Sequence, residues 1–496
     1  MTGRHTLGRW LTDRVRSTPD RVAIDFRDEL WTYADLERRS SRMASSLVSR
    51  GVARGDRVAT LTANSPEHVA LLFACARVGA LLQPVSWRLA PAEIRYQLDD
   101  AEPSLLVMDD ERAPLAEAAG GTGDRILFGA LDAEPRSVER RVQDDDGLLL
   151  AYTSGTTGKP KGAVLTHANC FWTNLSFDRT GGIAGDDVVL QVLPQFHSGG
   201  WNVQPLLAWW KGATVVLEPA FEPGHALALL ESKKVTTMMG VPATYLFMAE
   251  QPQFATTDLS SLQLAVVGGA PMPESLLRTW QSRGVDIVQG YGLTEAAPNV
   301  LCLPPEAAAR KLGFAGRPYP HVDVALRDPD TGEHLVGPAT GELVVRGANV
   351  FAGYWRNPEA TAAAFADGWL LTGDLAERDA DGDYRIVGRL KELVISGGEN
   401  VYPAEVEDVL HAHPAVSEAA VVGVPDERWG EVCVAFVALR KGASAGEAEL
   451  LSWSEERLAR FKVPRAVRFL DELPRSGMGK VAKDELRALA TEEPVR

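Results

Sequence analysis

Up to about Val322 the chain alternates short apolar runs with longer amphipathic stretches, and that alternation limits its fold more than any other feature. Helix-like TYADLERRSSRMASSLVSRG leads into RVATLTAN, and PEHVALLFACARVG leads into ALLQPV. The series resumes with DVVLQVLP, a helical stretch near Trp201 to Trp210, then ATVVLE, HALALLESKK and TTMMGVP. Strands separated by helices of this length predict an α/β fold whose parallel sheets are covered on both faces. From Val322 the texture changes to short strands with turn signals, in VDVALRDPDTGEHL, GELVVRG and GWLLTGDLAERDADGDYRIVG. The DG and TG dipeptides mark tight turns, so a small β-rich unit, a barrel, is expected over about 322–388. After Gly388 the alternation returns as AEVEDVLHAH, AAVVGV, VCVAFVAL, EAELLSWSEERLARF and AVRFL, an α+β unit. The expected organisation is therefore a large unit of two αβ subdomains and the small barrel over 1–388, followed by a small unit over 389–496.

Composition narrows what such a fold can do. With 51 Lys and Arg against 67 Asp and Glu the net charge is −16, which argues against a nucleic-acid surface or an anionic membrane as main partner. An anionic ligand must then be held by local donors. The four cysteines, Cys75, Cys170, Cys302 and Cys433, form no CxxC pair, so neither a disulfide framework nor a cysteine zinc site is expected. The apolar stretch from Val69 contains Arg77 and a Gly-Ala break, and reads as a buried helix running into a strand rather than a membrane span. MTGRHTLGRWLTDRV has no apolar core of a signal peptide, and a cytoplasmic location is expected. The acidic QDDDG around Asp144 reads as a solvated loop.

Local donors are concentrated in YTSGTTGKPKG, which begins at Tyr152 directly after the apolar run GLLLAY. Glycines let successive backbone N–H groups converge, and hydroxyls and ammonium groups add donors, so the stretch suits a polyphosphate. It is not a Walker A loop: Pro160 follows Lys159 where that pattern needs Ser or Thr for magnesium.

YTSGTTGKPKG resembles the signature loop of the adenylate-forming superfamily of acyl-CoA synthetases, adenylation domains and luciferases. Further motifs of that family follow in order: VVGGAPMPE from Val266, QGYGLTE from Gln289, LLTGDLAE from Leu370, GRLKELVISGGENVYPAEVE from Gly388 and LPRSGMGK from Leu473. SGGENVYPAEVE and PDERWGE are most similar to those of bacterial fatty-acyl and aryl-CoA ligases. The resemblance implies a two-step reaction, in which a carboxylate attacks the α-phosphate of ATP and the thiol of coenzyme A then displaces AMP. It also implies roles. Thr153, Ser154, Gly155, Thr156, Thr157, Gly158 and Lys159 would wrap the β- and γ-phosphates. Glu295 would hold Mg²⁺, and Thr294 would lie beside the α-phosphate. Gly269, Ala270 and Pro271 would line the adenine slot, with Gly290, Tyr291 and Gly292 beside it and Tyr291 offering the ring an aromatic face. Asp374 would accept from the ribose hydroxyls, supported by Arg389. Lys480 would reach the bridge between carboxylate and α-phosphate.

In this family the small domain swings between the half-reactions. Lys391 matches the hinge, Gly398 would leave room for pantetheine, and Glu399 would meet His197 after the swing. Trp429, Phe461, Arg465 and Arg88 match contacts to the nucleotide end of coenzyme A. In LPQFHSGGWNVQP, His197 stands where amino-acid adenylation domains carry an aspartate, which argues against an amino-acid substrate. Gly199, Gly200, Trp201 and Asn202, with Gly268 and Gly292 nearby, suggest a roomy apolar pocket with one aromatic wall, for a fatty, aromatic or polycyclic acid. A carrier-protein phosphopantetheine as acceptor and a non-catalytic nucleotide-binding relative are the alternatives.

Overall fold

In the computed structural model the described residues are 3–136, 141–153, 159–396, 399–426, 429–475 and 481–492, and they form four sheets. A nine-stranded sheet carries the parallel strands Thr214–Leu217, Val188–Gln191, Thr237–Gly240, Leu264–Val267 and Ile287–Gly292 side by side in that order. A seven-stranded sheet carries Gly147–Thr153, Leu81–Pro84, Arg57–Leu61, Leu105–Met108 and Asp124–Leu127, again parallel. Parallel strands need covering on both faces, which is why they read as unbroken apolar runs.

Local sequence explains the helices between them. Tyr33–Ser49 starts at a capping box, where Thr32 accepts from the Asp35 N–H and Asp35 accepts from the Thr32 N–H. Pro66–Val78 begins with proline after a Ser65 cap and stops at Gly79, whose φ of +80° few other residues adopt. Apart from Glu67 and Arg77 this helix is wholly buried and joins the main core. The apolar stretch from Val69 is therefore interior packing. Among the described residues no helix is long and apolar enough to cross a membrane.

The β-rich unit is a six-stranded antiparallel sheet built around Val322–Arg327, Ala339–Gly347, Trp369–Arg378 and Tyr384–Arg389. The turn Leu390–Glu392 leads from it to a five-stranded sheet whose strands all begin at Val394 or later. The apolar run in Val416–Asp426 serves both faces of that sheet. Val421 packs toward helices Pro403–His411 and Glu447–Glu455, while Val422 and Val424 pack toward Lys483–Glu492.

One expectation fails locally. The acidic stretch at Asp144 is a tie rather than a solvated loop. Asp144 accepts from the His5 backbone N–H at 2.8 Å and pairs with the His5 ring at 2.9 Å, and Asp146 takes the Arg54 guanidinium at 2.6 and 2.7 Å. Of the three acids only Asp145 is exposed.

Candidate active site at the carboxyl edge of the nine-stranded sheet

Because the five central strands run parallel, their carboxyl ends lie on one edge, and every loop leaving that edge faces the same crevice. Val188–Gln191 runs into LPQFHS, Leu264–Val267 into Gly268–Pro271, and Ile287–Gly292 into the turn Thr294–Ala296. Ligands of open α/β sheets bind outside the carboxyl ends of the strands for this reason.

The His197 turn is fixed from below. Gln195 accepts from the buried His68 ring at 3.1 Å, its N–H donates to Asn64 at 2.8 Å, and its carbonyl takes the Trp201 indole N–H at 2.6 Å. Burial holds the His68 ring neutral, with its pKa pushed down to about 3. Ser198, next to His197, places its hydroxyl 3.3 Å from that of Thr294, so the turn after Val188–Gln191 meets the turn Thr294–Ala296. Arg88 lies over the rings of Trp87 and Phe196, at 5.2 and 5.7 Å, next to His197. Burial lowers its pKa.

Glycine and hydroxyl chemistry shapes the TGD turn. Thr372 accepts from the Asp374 N–H at 3.0 Å, and Gly373 takes a φ of +69°. The carboxylate that results is 6% exposed. Tyr291 donates its hydroxyl to Oδ2 at 2.5 Å, and Arg389, the cross-strand partner of Asp374, reaches Oδ1 at 3.0 Å. Burial first, and then the Asp374 charge, push the Tyr291 phenol well above its usual range, so it remains a donor. Asp374 in turn raises the pKa of Arg389.

Glu295 stands on the same edge. Its Oε1 accepts from the Tyr354 hydroxyl at 2.9 Å, and among the described residues it has no cationic partner. A carboxylate with one oxygen bonded to a hydroxyl and no cationic partner among the described residues has the chemistry of a ligand for a hard divalent cation such as magnesium. By contrast the acidic trio Asp379, Asp381 and Asp383 is closed by the Lys311 ammonium, at 2.6, 2.6 and 3.3 Å.

Gly269 has a φ of +83° and, with Ala270 and Pro271, forms an exposed turn. A Cβ on Gly290 would lie 3.4 Å from the Leu301 carbonyl. The pocket expectation needs correcting at four positions. Trp201 is 0% exposed and belongs to the core, so it is no wall of an open pocket. Asn202 is also buried, bonded to Asn174 and Cys170. Gly200 and Gly292 do not leave room for a ligand: a Cβ there would lie 2.3 Å from the Pro194 carbonyl and 1.8 Å from the Pro298 carbonyl. Gly292→Ala should therefore lower stability by about 3 kcal/mol in the absence of any ligand. A thermal melt of the free protein checks this, since a glycine kept for ligand space would leave the melt unchanged.

Other expected site residues lie on the small sheet. Glu399 is exposed at the start of Glu399–Val401, opposite Ser396. Ser396 also pairs with Gly430, which brings Trp429, 45% exposed, to the same end of the sheet. Phe461 is 40% exposed, in the short turn Arg460–Lys462 that adjoins Glu399–Val401. Arg465 is exposed and its backbone N–H donates to Cys433 at 2.7 Å. Lys391 is exposed in the turn between the sheets. Ser154, Gly155, Thr156, Thr157, Gly158, Gly398 and Lys480 lie outside the described residues. Thr153 ends its strand as expected, and Lys159 is exposed.

Two residues escaped the sequence reading. Lys161 places its ammonium 5.1 Å from the centre of the Tyr354 ring and has no ion pair among the described residues. It is the second lysine of the Gly-rich loop, a signal that was there to use. Tyr354 had none, because a tyrosine after Gly353 carries no local mark of a partner in another motif.

Residues 11–355 match the AMP-binding enzyme family, and residues 405–480 match the AMP-binding enzyme C-terminal domain. The chain is 44% identical over 483 residues to a feruloyl-CoA synthase of Amycolatopsis sp, covering 97% of this chain and 98% of the relative. It is 41% identical over 499 residues to an indoleacetate–CoA ligase of Aromatoleum aromaticum, covering 97% and 98%. Among solved structures it is similar to the o-succinylbenzoate CoA synthetase of Bacillus subtilis in complex with its acyl-adenylate intermediate. The TM-score is 0.87 at 34% identity, over 97% of this chain and 98% of that one. The same enzyme with ATP and a magnesium ion gives a TM-score of 0.89 at 34% identity, over 96% and 99%.

Proposed function

The chain belongs to the AMP-binding enzyme family, and from that premise we propose that it is an ATP-dependent carboxylic acid:CoA ligase working through an acyl-adenylate. The observation that carries the reading is the joining of four separate motifs at one crevice: Ser198 against Thr294, Glu295 beside them, and Tyr291 with Arg389 on Asp374. The ligands of the Bacillus subtilis structures, ATP with magnesium and an acyl-adenylate, support the same chemistry.

The chain's residues divide the work by charge. Asp374 orients the ribose, and the turn Gly269–Pro271 takes the adenine. Thr294 donates at the α-phosphate, while Thr153 to Lys159, with Lys161, hold the β- and γ-phosphates that leave as pyrophosphate. Magnesium, when bound, supplies positive charge that offsets the polyphosphate, and Glu295 is the residue that holds it. Lys480 brings the remaining positive charge between the two anions that must meet, which is electrostatic stabilisation of developing charge. Turning at Lys391 exchanges Lys480 for the face with Gly398 and Glu399, where coenzyme A enters between Arg88 on one side and Trp429, Phe461 and Arg465 on the other. Such hinges are element-terminal residues that absorb a backbone change. The acid is hydrophobic, and the feruloyl and indoleacetate relatives favour an aromatic one.

A panel of aromatic and fatty acids, scored for acid-dependent pyrophosphate release with and without coenzyme A, tests the reading. Release with an aromatic acid, and its acyl-CoA when coenzyme A is added, is the expected result. Silence with every acid would point to a nucleotide-binding scaffold, and release without thioester formation would point to a carrier-protein acceptor.

A further inference from the structure

Tyr354 and Glu295 come from motifs 59 residues apart, yet the hydroxyl of one lies 2.9 Å from Oε1 of the other. The contact is built from both sides. Gly353 and Tyr354 pair antiparallel with Val164 and Ala163 on the strand Lys161–Thr166, which leaves the Gly-rich loop. The Tyr354 N–H donates to Thr361 at 2.9 Å, and its ring packs edge-on against Phe351 with centroids 4.9 Å apart. On the other side the Phe351 N–H donates to the Glu295 carbonyl at 2.8 Å, and Asn349 donates to the carbonyls of Ala296 and Asn299, both at 2.9 Å. Backbone and hydroxyl of one short segment thus hold both ends of Glu295. Lys161 lies over the same tyrosine ring at 5.1 Å.

We infer that Tyr354 is a positioning residue that presents the carboxylate of Glu295 to the metal and couples it to the strand of the phosphate loop. The inference rests on Glu295 as the magnesium ligand. By donating to Oε1 the hydroxyl fixes the carboxylate rotamer and leaves Oε2 as the oxygen that would ligate the metal. Partners of ligating carboxylates that are lost typically cost about 10–100-fold in metal affinity.

The test is ATP binding to the full-length protein by calorimetry, once with excess Mg²⁺ and once with EDTA, for wild type, Tyr354→Phe and Glu295→Gln. Phenylalanine keeps the ring for Phe351 and Lys161 and removes only the donor. Tyr354→Phe is expected to lose about 10–100-fold of the gain in ATP affinity that Mg²⁺ gives. Its affinity for ATP in EDTA and its melting temperature should stay at wild-type values. An unchanged Mg²⁺ gain in Tyr354→Phe, with the gain lost in Glu295→Gln, overturns the positioning role alone. An equal fall in EDTA overturns it too, because the tyrosine then only packs. An unchanged gain in Glu295→Gln overturns the metal-ligand reading beneath it.

Discussion

Lys480→Ala is expected to slow acyl-adenylate formation by about 10³-fold while acyl transfer from a supplied acyl-adenylate to coenzyme A stays within a few-fold of wild type. The asymmetry follows from where the charges sit. Thr294, Glu295 and Asp374 belong to the large sheets and the β-rich unit, and the described residues flanking Lys480 belong to the small one. Arg475 pairs with Val481, and Lys483 reaches Glu392 at 2.9 Å and Glu407 at 2.8 Å. Glu392 directly follows the proposed hinge, so Lys480 is flanked by residues tied to the chain on the carboxyl side of Lys391. A lysine delivered by a domain that turns away contributes to one half-reaction only. Pyrophosphate release measures the first half-reaction, and thioester formation from synthetic acyl-adenylate measures the second. Equal loss in both would reject the swing as the reason for this lysine.

Asp374→Asn should raise the KM for ATP roughly 100-fold, since hydrogen bonds to a charged group are each worth about 1.5–3 kcal/mol. The substitution keeps the shape of the side chain and removes one of its two acceptor oxygens and its charge. Arg389 and Tyr291 already occupy one lone pair on each oxygen, so the asparagine amide meets a donor where it needs an acceptor. The informative comparison is ATP against 2′-deoxy-ATP. Wild type should discriminate between them, and Asp374→Asn should hardly do so. Retained discrimination would mean that the carboxylate only braces the crevice through Tyr291 and Arg389. A circular-dichroism melt separates that outcome from general destabilisation.

The two predictions draw on different kinds of legibility. The lysine and the aspartate are singled out by the resemblance of PRSGMGK and LTGD to motifs of a known family; by itself an Asp after Thr-Gly is a common turn residue and a Lys in a Gly-rich loop is usually solvated. The alternation of strands and helices was plain, because burial on both faces of a parallel sheet demands continuous apolar runs such as TVVL in Thr214–Leu217. The pocket was not legible. Trp201 and Gly292 sit inside or beside recognisable motifs, but a glycine spared for a ligand and one spared for the Pro298 carbonyl look the same in sequence.

The chain by itself determined its fold class, the order of its motifs and the chemistry they offer, because periodicity, turn residues and donor-rich loops are local properties. Only the tertiary structure decided which of those groups meet. Tyr291 finds Asp374 83 residues on, His5 finds Asp144 139 residues on, and Tyr354 finds Glu295 across two motifs. Such partners are chosen by strand order and register, and a side chain carries no mark of the distant group that will face it once the sheets have formed.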